Sequence, residues 1–302
     1  MDDTLLVVVG PTASGKTELA VRLAEALDGE IIGADSVQIY RHFDVGSGKP
    51  TPEQLCRAPH HLVDVLDPLD AMDAAAWTER ADAAVADIKA RGKRPIVCGG
   101  TFLWVKALLY GLAPAPPADN AIRERHRSQV AREGRAALHR ALATVDPETS
   151  TRLSPNDFVR VSRALEVFEL TGIPMSHWQH QHGFRQPRYR ARLMGVRHAR
   201  DALDQRIRQR VEQMLGAGWI AEVRQLLDSG YVHARAMRSV GYRQIADALG
   251  GDHAAADPPG LSDAIYRATR VFARRQRTWL RDQAVQWLDP KSAASAMPHT
   301  WL

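Results

Sequence analysis

The hydrophobic pattern of this chain opens with a short continuous run, Leu5-Leu6-Val7-Val8-Val9, bounded by Gly10. A run of that length predicts a strand buried on both faces, and Glu18-Leu19-Ala20-Val21-Arg22-Leu23-Ala24 behind it predicts a helix. Glu30-Ile31-Ile32-Gly33-Ala34 predicts a second strand, ending at Asp35-Ser36. Residues 44–72 show no period and carry Pro50, Pro59 and Pro68, so loop is expected there. An alanine-rich helix is predicted over 73–91, with Ala76, Val85 and Ile88 as its apolar positions. Pro95-Ile96-Val97-Cys98 then predicts a buried strand running into Gly99-Gly100-Thr101, with a helix from Phe102 to Tyr110. Strands alternating with helices predict an α/β fold around a parallel sheet.

The pattern changes at Ala113-Pro114-Ala115-Pro116-Pro117-Ala118-Asp119, a stiff linker. From 119 to 184 it is wholly helical, with pieces over 119–132, 134–143 and 156–171. The last is capped by Asn156-Asp157 and ended by Gly172 and Pro174. Arg192-Leu193-Met194-Gly195-Val196 predicts a strand returning to the sheet. A helix over 199–216 follows, with Leu203, Ile207, Val211 and Met214 inward. A final helix over 261–282 sets Leu261, Ile265, Ala268, Phe272 and Trp279 on one stripe, opposite Arg267, Arg270, Arg274, Arg277 and Arg281. The expected organisation is a core of 1–118 and 185–302 interrupted by an all-helical insertion domain, 119–184. Residues 289–302 carry too little pattern to read.

The 302 residues suffice for such a core plus insertion, and 45% hydrophobic residues can fill it. The net charge of +5 is unevenly placed: 1–90 is balanced or acidic, whereas 185–281 is dense in arginine. Five arginines on one helix face with no interleaved acid repel one another unless an anion lies alongside, and a nucleic-acid backbone is the natural candidate. Cys56 and Cys98 show neither disulfide nor metal spacing and are expected to be reduced, partly buried thiols. His60-His61 read as loop packing, and His177, His180 and His182 as a polar helix end rather than a metal site. No apolar run approaches a membrane span, so a cytoplasmic protein is expected.

Chemistry concentrates at Gly10-Pro11-Thr12-Ala13-Ser14-Gly15-Lys16-Thr17, which follows a strand and opens a helix as a phosphate loop requires. Its glycines let backbone amides close on phosphate oxygens, Lys16 adds a point charge, and the Thr17 hydroxyl suits a magnesium ion. The core is therefore expected to be P-loop NTPase-like, its parallel sheet flanked by helices. Asp35, at a strand end, and Thr101, at a helix start, both fall where ligands bind in open parallel sheets. Each also suits a cap. Arg206 and Arg210 stand four apart on one helix face, and Arg238-Ser239-Val240-Gly241-Tyr242-Arg243-Gln244 is a glycine-hinged basic segment. No second apolar strand ends in a clear ATPase aspartate, so the loop suits a diphosphate held as leaving group.

With these residues in hand, the chain resembles the tRNA dimethylallyltransferases. The resemblance rests on GPTASGKT (10–17), DSVQIY (35–40), VGSGKP (45–50), APHH (58–61) and GGTFLW (99–104). NDFVRVSRALEVFELTG (156–172), RSVGYRQ (238–244) and RRQRTWLR (274–281) extend it, in order, through nearly the whole chain. It implies transfer of a dimethylallyl group from dimethylallyl diphosphate to N6 of adenosine 37, beside the tRNA anticodon, with Mg²⁺. It further implies that Gly10, Pro11, Thr12, Ala13, Ser14, Gly15, Lys16 and Thr17 grip the diphosphate and that Thr17 meets the metal. Asp35 would be the base, with Thr101, Lys16 and Arg123 acting at the substrates, and Arg206 and Arg210 on the diphosphate. Contacts to tRNA would come from Asp35, Ser36, Val37 and Gln38, and from Val159, Arg160, Val161, Ser162 and Arg163. Arg238, Gly241, Tyr242 and Arg243, with Arg274, Arg277 and Arg281, complete the set. A monomer is expected. The chain departs from the family pattern at Val159 (usually Gln), Trp104 (Tyr), Gly48 (Ala) and Ser239 (Cys). The rival readings are a small P-loop kinase, a transferase acting on free adenine nucleotides, and a non-catalytic RNA-binding module.

Overall fold

The structure is a computed structural model and describes residues 4–250 and 259–295. Six strands form one sheet: β1 Leu5–Val9, β2 Gly29–Gly33, β3 His60–His61, β4 Arg94–Gly99, β5 Ala191–Val196 and β6 Val285–Leu288. Their order is β3-β2-β4-β1-β5-β6, and each neighbouring pair is parallel. Every residue of β1 is buried, as a central parallel strand covered on both faces must be. On one face Leu6 and Val8 pack with Leu19, Leu23, Ile96 and Met194. Strands β2 and β4 lie to one side of β1 and β5 to the other, so the chain reverses direction across the sheet beside β1. The carboxyl ends of its strands there are where such sheets bind ligands.

The helices are α1 Lys16–Leu27, α2 Pro52–Arg57, α3 Ala74–Ala90, α4 Phe102–Tyr110, α5 Asn120–Glu133, α6 Arg135–Val145 and α7 Pro147–Arg152. After them come α8 Phe158–Thr171, α9 Met175–His182, α10 Arg200–Gly216, α11 Trp219–Asp228, α12 Tyr242–Leu249, α13 Leu261–Leu280 and α14 Pro290–Ser295. Two compact units emerge: Met1–Leu109 with Arg188–Leu302, and Tyr110–Pro187. The second is a helical bundle whose core holds Leu138, Leu142, Val161, Ala164 and Leu165. Its α8 begins at Asp157, whose side chain accepts from the Arg160 amide, and ends at the left-handed Gly172.

Several expectations are corrected. The 44–72 stretch is not all loop. Thr51 and Gln54 form a reciprocal capping box that starts α2, and none of that helix's residues is buried, so no hydrophobic period announces it. His60 and His61 form an edge strand, where His61 Nε2 meets the buried Glu30 carboxylate at 2.6 Å. Cys56 is exposed rather than partly buried. On α13 the buried positions are Leu261, Ile265, Ala273, Gln276 and Leu280, while Phe272 and Trp279 are each 42% exposed. The expected apolar stripe is therefore rotated, because a polar residue, Gln276, takes the central buried place. The arginine face is not free of acids either, since Arg270 pairs with Asp204 of α10 at 3.0 Å. Strand β6 and helices α7, α11 and α14 went unpredicted, and residues 296–302 lie outside the described residues. No described helix is long and apolar enough to cross a membrane.

Candidate active site

The chain leaves β1 and turns through Gly10–Gly15 into α1, with Ala13 and Gly15 in left-handed conformations at φ 62° and 89°. Gly15 caps the helix without a side-chain bond, and the amides of Gly15, Lys16 and Thr17 donate to no acceptor among the described residues. The Ser14 hydroxyl is buried and has no hydrogen-bond partner among the described residues. Free amides at a helix start, beside an unsatisfied hydroxyl, form an anion cradle.

Three side chains from distant parts of the chain hold this turn in place. Gln276 Oε1 accepts from the Thr12 amide at 2.8 Å while its Nε2 donates to Gly100 O at 3.1 Å. Arg206 Nε donates to Ala13 O at 2.8 Å, and His198 Nε2 lies 2.9 Å from Ser14 O. Reading the sequence found Arg206 but missed Gln276 and His198. The one signal for Gln276 was an uncharged polar residue amid arginines, in the quoted motif RRQRTWLR.

The charges at the cradle interact. Burial pushes the Lys16 ammonium below its usual range and Arg210 adds to that, while Cys98 and Asp35 oppose. Burial likewise lowers Arg210, with Asp35 opposing and Arg206 reinforcing. Burial raises the Cys98 thiol to about 11, so it remains protonated, 3.7 Å from Lys16 O. Lys16 and Arg210, both partly buried, thus place more positive charge at the cradle than the Asp35 carboxylate balances.

Asp35 Oδ1 accepts from the amides of Val37 at 3.0 Å and Gln38 at 3.3 Å, and Oδ2 accepts no hydrogen bond among the described residues. Capping thus occupies one oxygen of the carboxylate and leaves the other available. Thr101 Oγ1 accepts from the Ser36 amide at 3.0 Å, and the Ser36 hydroxyl is 3.3 Å away. Gln38 donates both amide protons to loop carbonyls, Ser47 O at 3.1 Å and Gly48 O at 2.8 Å. Its Oε1 is left as an acceptor.

Two hollows adjoin these residues. One, of about 1130 Å³, runs between α10 and α13 and reaches Pro11 of the loop; Arg197, Arg200, Arg274, Arg277 and Arg281 line it. The other, of about 300 Å³, lies between Ser36-Val37 and the segment containing Arg235, Arg238 and Ser239.

Not every expected RNA contact is on a surface. Arg238 and Arg243 are exposed, but Gly241 and Tyr242 are buried, with the Tyr242 hydroxyl 2.6 Å from Glu222. In the helical unit Val159 and Arg160, in the first turn of α8, are exposed, whereas Val161 and Ser162 are buried on its inward face. Arg123 and Arg163 both grip the fully buried Glu166, at 3.0 and 2.8 Å. Among the departures from the family pattern, Trp104 is buried against Trp77, and Gly48 leaves room that the Arg210 guanidinium fills. The Ser239 hydroxyl is buried without a hydrogen-bond partner among the described residues.

Residues 38–283 match the profile of the IPP transferases. The chain belongs to the IPP transferase family. A tRNA dimethylallyltransferase of Sorangium cellulosum is 61% identical over 284 residues, which cover 94% of this chain and 90% of that protein. One from Geobacter sulfurreducens is 45% identical over 287 residues, covering 94% and 91%. Among solved structures, the tRNA isopentenylpyrophosphate transferase of Bacillus halodurans is 34% identical with a TM-score of 0.70, covering 97% of this chain and 94% of its own. A eukaryotic dimethylallyltransferase acting on tRNA shares the fold at a TM-score of 0.79 and 24% identity, covering 99% and 76%.

Proposed function

We propose that this chain transfers the dimethylallyl group of dimethylallyl diphosphate to N6 of adenosine 37 in tRNA and releases diphosphate. The observation that carries this reading is Asp35, a carboxylate with one unused oxygen beside the Lys16 and Arg210 cations of an anion cradle. A base and a diphosphate site side by side are what N-alkylation of a nearly non-basic exocyclic amine requires. The amine nitrogen attacks the allylic carbon, the C–O bond breaks, and its electron pair leaves with the diphosphate. Asp35 takes the proton from N6. The amides of Gly15, Lys16 and Thr17, with Lys16, Arg206 and Arg210, meet the charge that grows on the leaving group.

A magnesium ion fits the donor set. No cluster of three or more His, Cys, Asp or Glu that could hold a metal exists among the described residues. The ion would therefore be held by the Thr17 hydroxyl together with diphosphate oxygens and water, as hard cations of this size are. Bound there, it would supply further neutralisation of the leaving group. Thr101 would orient the substrates through its hydroxyl. Arg123 would reach them only with an end not spent on Glu166.

The tRNA would lie against Asp35–Gln38, the exposed Arg160 and Arg238, Arg243, and the Arg274, Arg277 and Arg281 face of α13. The reacting base must leave its stack to reach the cradle. The protein would act as a monomer in the cytoplasm. Mass spectrometry of unmodified tRNA bearing adenosines 36 and 37, incubated with protein, Mg²⁺ and dimethylallyl diphosphate, tests the reading. One added dimethylallyl group on nucleoside 37 is expected. Modification of AMP or ATP instead, with tRNA untouched, would replace it with transfer to free nucleotides.

A further inference from the structure

The carboxylate of Glu222, half-buried on α11, joins three segments far apart in sequence. It accepts from the backbone amides of Asp44 at 2.9 Å, Val45 at 2.6 Å and Gly46 at 3.3 Å, and from the Tyr242 hydroxyl at 2.6 Å. Three consecutive amides converging on one carboxylate is the arrangement by which a loop is fixed to a point charge. An apolar floor lies beneath. Phe43 and Tyr242 meet at 4.8 Å between ring centres, and Trp219, buried at the start of α11, meets Tyr242 edge-on at 5.5 Å. The loop sits so close to this floor that a Cβ on Gly46 would fall 1.8 Å from Trp219 Nε1.

What the loop carries gives the arrangement its use. The carbonyls of Ser47 and Gly48, immediately after the clamped amides, take both protons of the Gln38 amide. They thereby decide which way that amide faces, with Oε1 presented as acceptor. The second anchor, Tyr242, opens α12 directly after the turn at 238–241. Arg238 and Ser239 of that turn form one wall of the 300 Å³ hollow, and Ser36 and Val37, next to Gln38, form the other. Both walls beside Asp35 therefore trace back to one carboxylate. Arg206 and Arg210 project from α10 and make no hydrogen bond to Glu222; the Arg210 guanidinium packs against Gly48 of the clamped loop, while Arg206 holds Ala13 O of the phosphate loop.

We infer that Glu222 is a positioning residue for the nucleic-acid acceptor: it holds the 44–48 loop, and with it the Gln38 amide, in register with the 238–242 turn. The inference rests on the proposed transfer to tRNA. Replacing Glu222 by glutamine keeps its shape but sets an NH₂ against backbone N–H groups, which loosens the loop without opening a cavity. Steady-state transfer is measured with tRNA and with dimethylallyl diphosphate varied in turn, per active site, for wild type, Glu222→Gln and Tyr242→Phe. Glu222→Gln is expected to raise KM for tRNA about ten-fold, the effect of losing charge-assisted bonds, with KM for the diphosphate within about two-fold. Tyr242→Phe, which removes one bond, is expected to shift tRNA KM in the same direction by about three-fold. Equal rises in both KM values, or a change confined to melting temperature or to the fraction of active protein, would overturn the assignment. Wild-type protein that transfers nothing to tRNA would instead remove the reading of function. In that case inorganic diphosphate binding and direct tRNA binding by the same three proteins still decide the inference: a loss of tRNA affinity alone in Glu222→Gln supports it, and unchanged tRNA affinity overturns it.

Discussion

Thr101 Oγ1 accepts the backbone proton of Ser36 at 3.0 Å, and this bond ties the end of β4 to the turn that carries Asp35. The Thr101 amide donates to Ala34 O at 3.1 Å, so the tie is double. Two adjacent strand ends are thereby locked beside the phosphate loop.

Asp35 uses one oxygen for this turn, and its other oxygen is the proposed base. Asp35→Asn retains an oxygen for the amides of Val37 and Gln38 but cannot accept a proton. Single-turnover transfer should fall about 10²–10⁴-fold, with tRNA affinity by filter binding unchanged. Wild-type rates in that variant would remove Asp35 as the base.

The arginines on α13 test differently. Arg277 is exposed and lines the large basic groove. Arg277→Ala should weaken tRNA binding and lower the slope of log affinity against log salt by about 1, leaving diphosphate affinity as it was. An unchanged slope would make this face a solvated surface only.

Burial pushes the Lys16 ammonium below its usual range, with Cys98 and Asp35 opposing. Lys16→Met removes a partly buried cation with no hydrogen-bond partner among the described residues, so the ligand-free protein should melt at a higher temperature while losing function. Inorganic diphosphate at about 100 times its Kd should stabilise the wild type by about 2.7 kcal/mol and the variant far less. Thermal melts with and without the ligand measure both effects.

At the sheet edge, hydrogen bonds from Arg91 hold the Glu30 carboxyl at about 2, with His61 assisting against burial. A carboxyl depressed on folding from an ordinary 4.5 stabilises the fold above that pH and loses this as pH falls from about 4.5 toward 2. The stability gap between wild type and Glu30→Gln should close as pH falls from about 4.5 toward 2. Urea unfolding at stepped pH measures it, and a gap that widens between about pH 4.5 and 2 would reverse the assignment.

The sequence by itself determined the central strands, the phosphate loop, the helical stretch of 119–184 and the candidates Asp35 and Thr101. Those features are written locally, as an unbroken apolar run, a fixed glycine spacing, or a 3.6-residue period. Short elements with no buried face escaped, such as α2, because a six-residue helix held by its capping box leaves no period to read. Only the tertiary structure decided which polar residues turn inward. Gln276 lies within an arginine-rich helix and reads as surface, yet it is buried because the Thr12 amide and the Gly100 carbonyl meet its two ends. Tyr242 reads as part of a basic surface segment, yet Glu222, twenty residues earlier, draws its hydroxyl inward. A buried polar group is stable only where partners wait for it. Here those partners come from segments up to 264 residues away, beyond what any local pattern records.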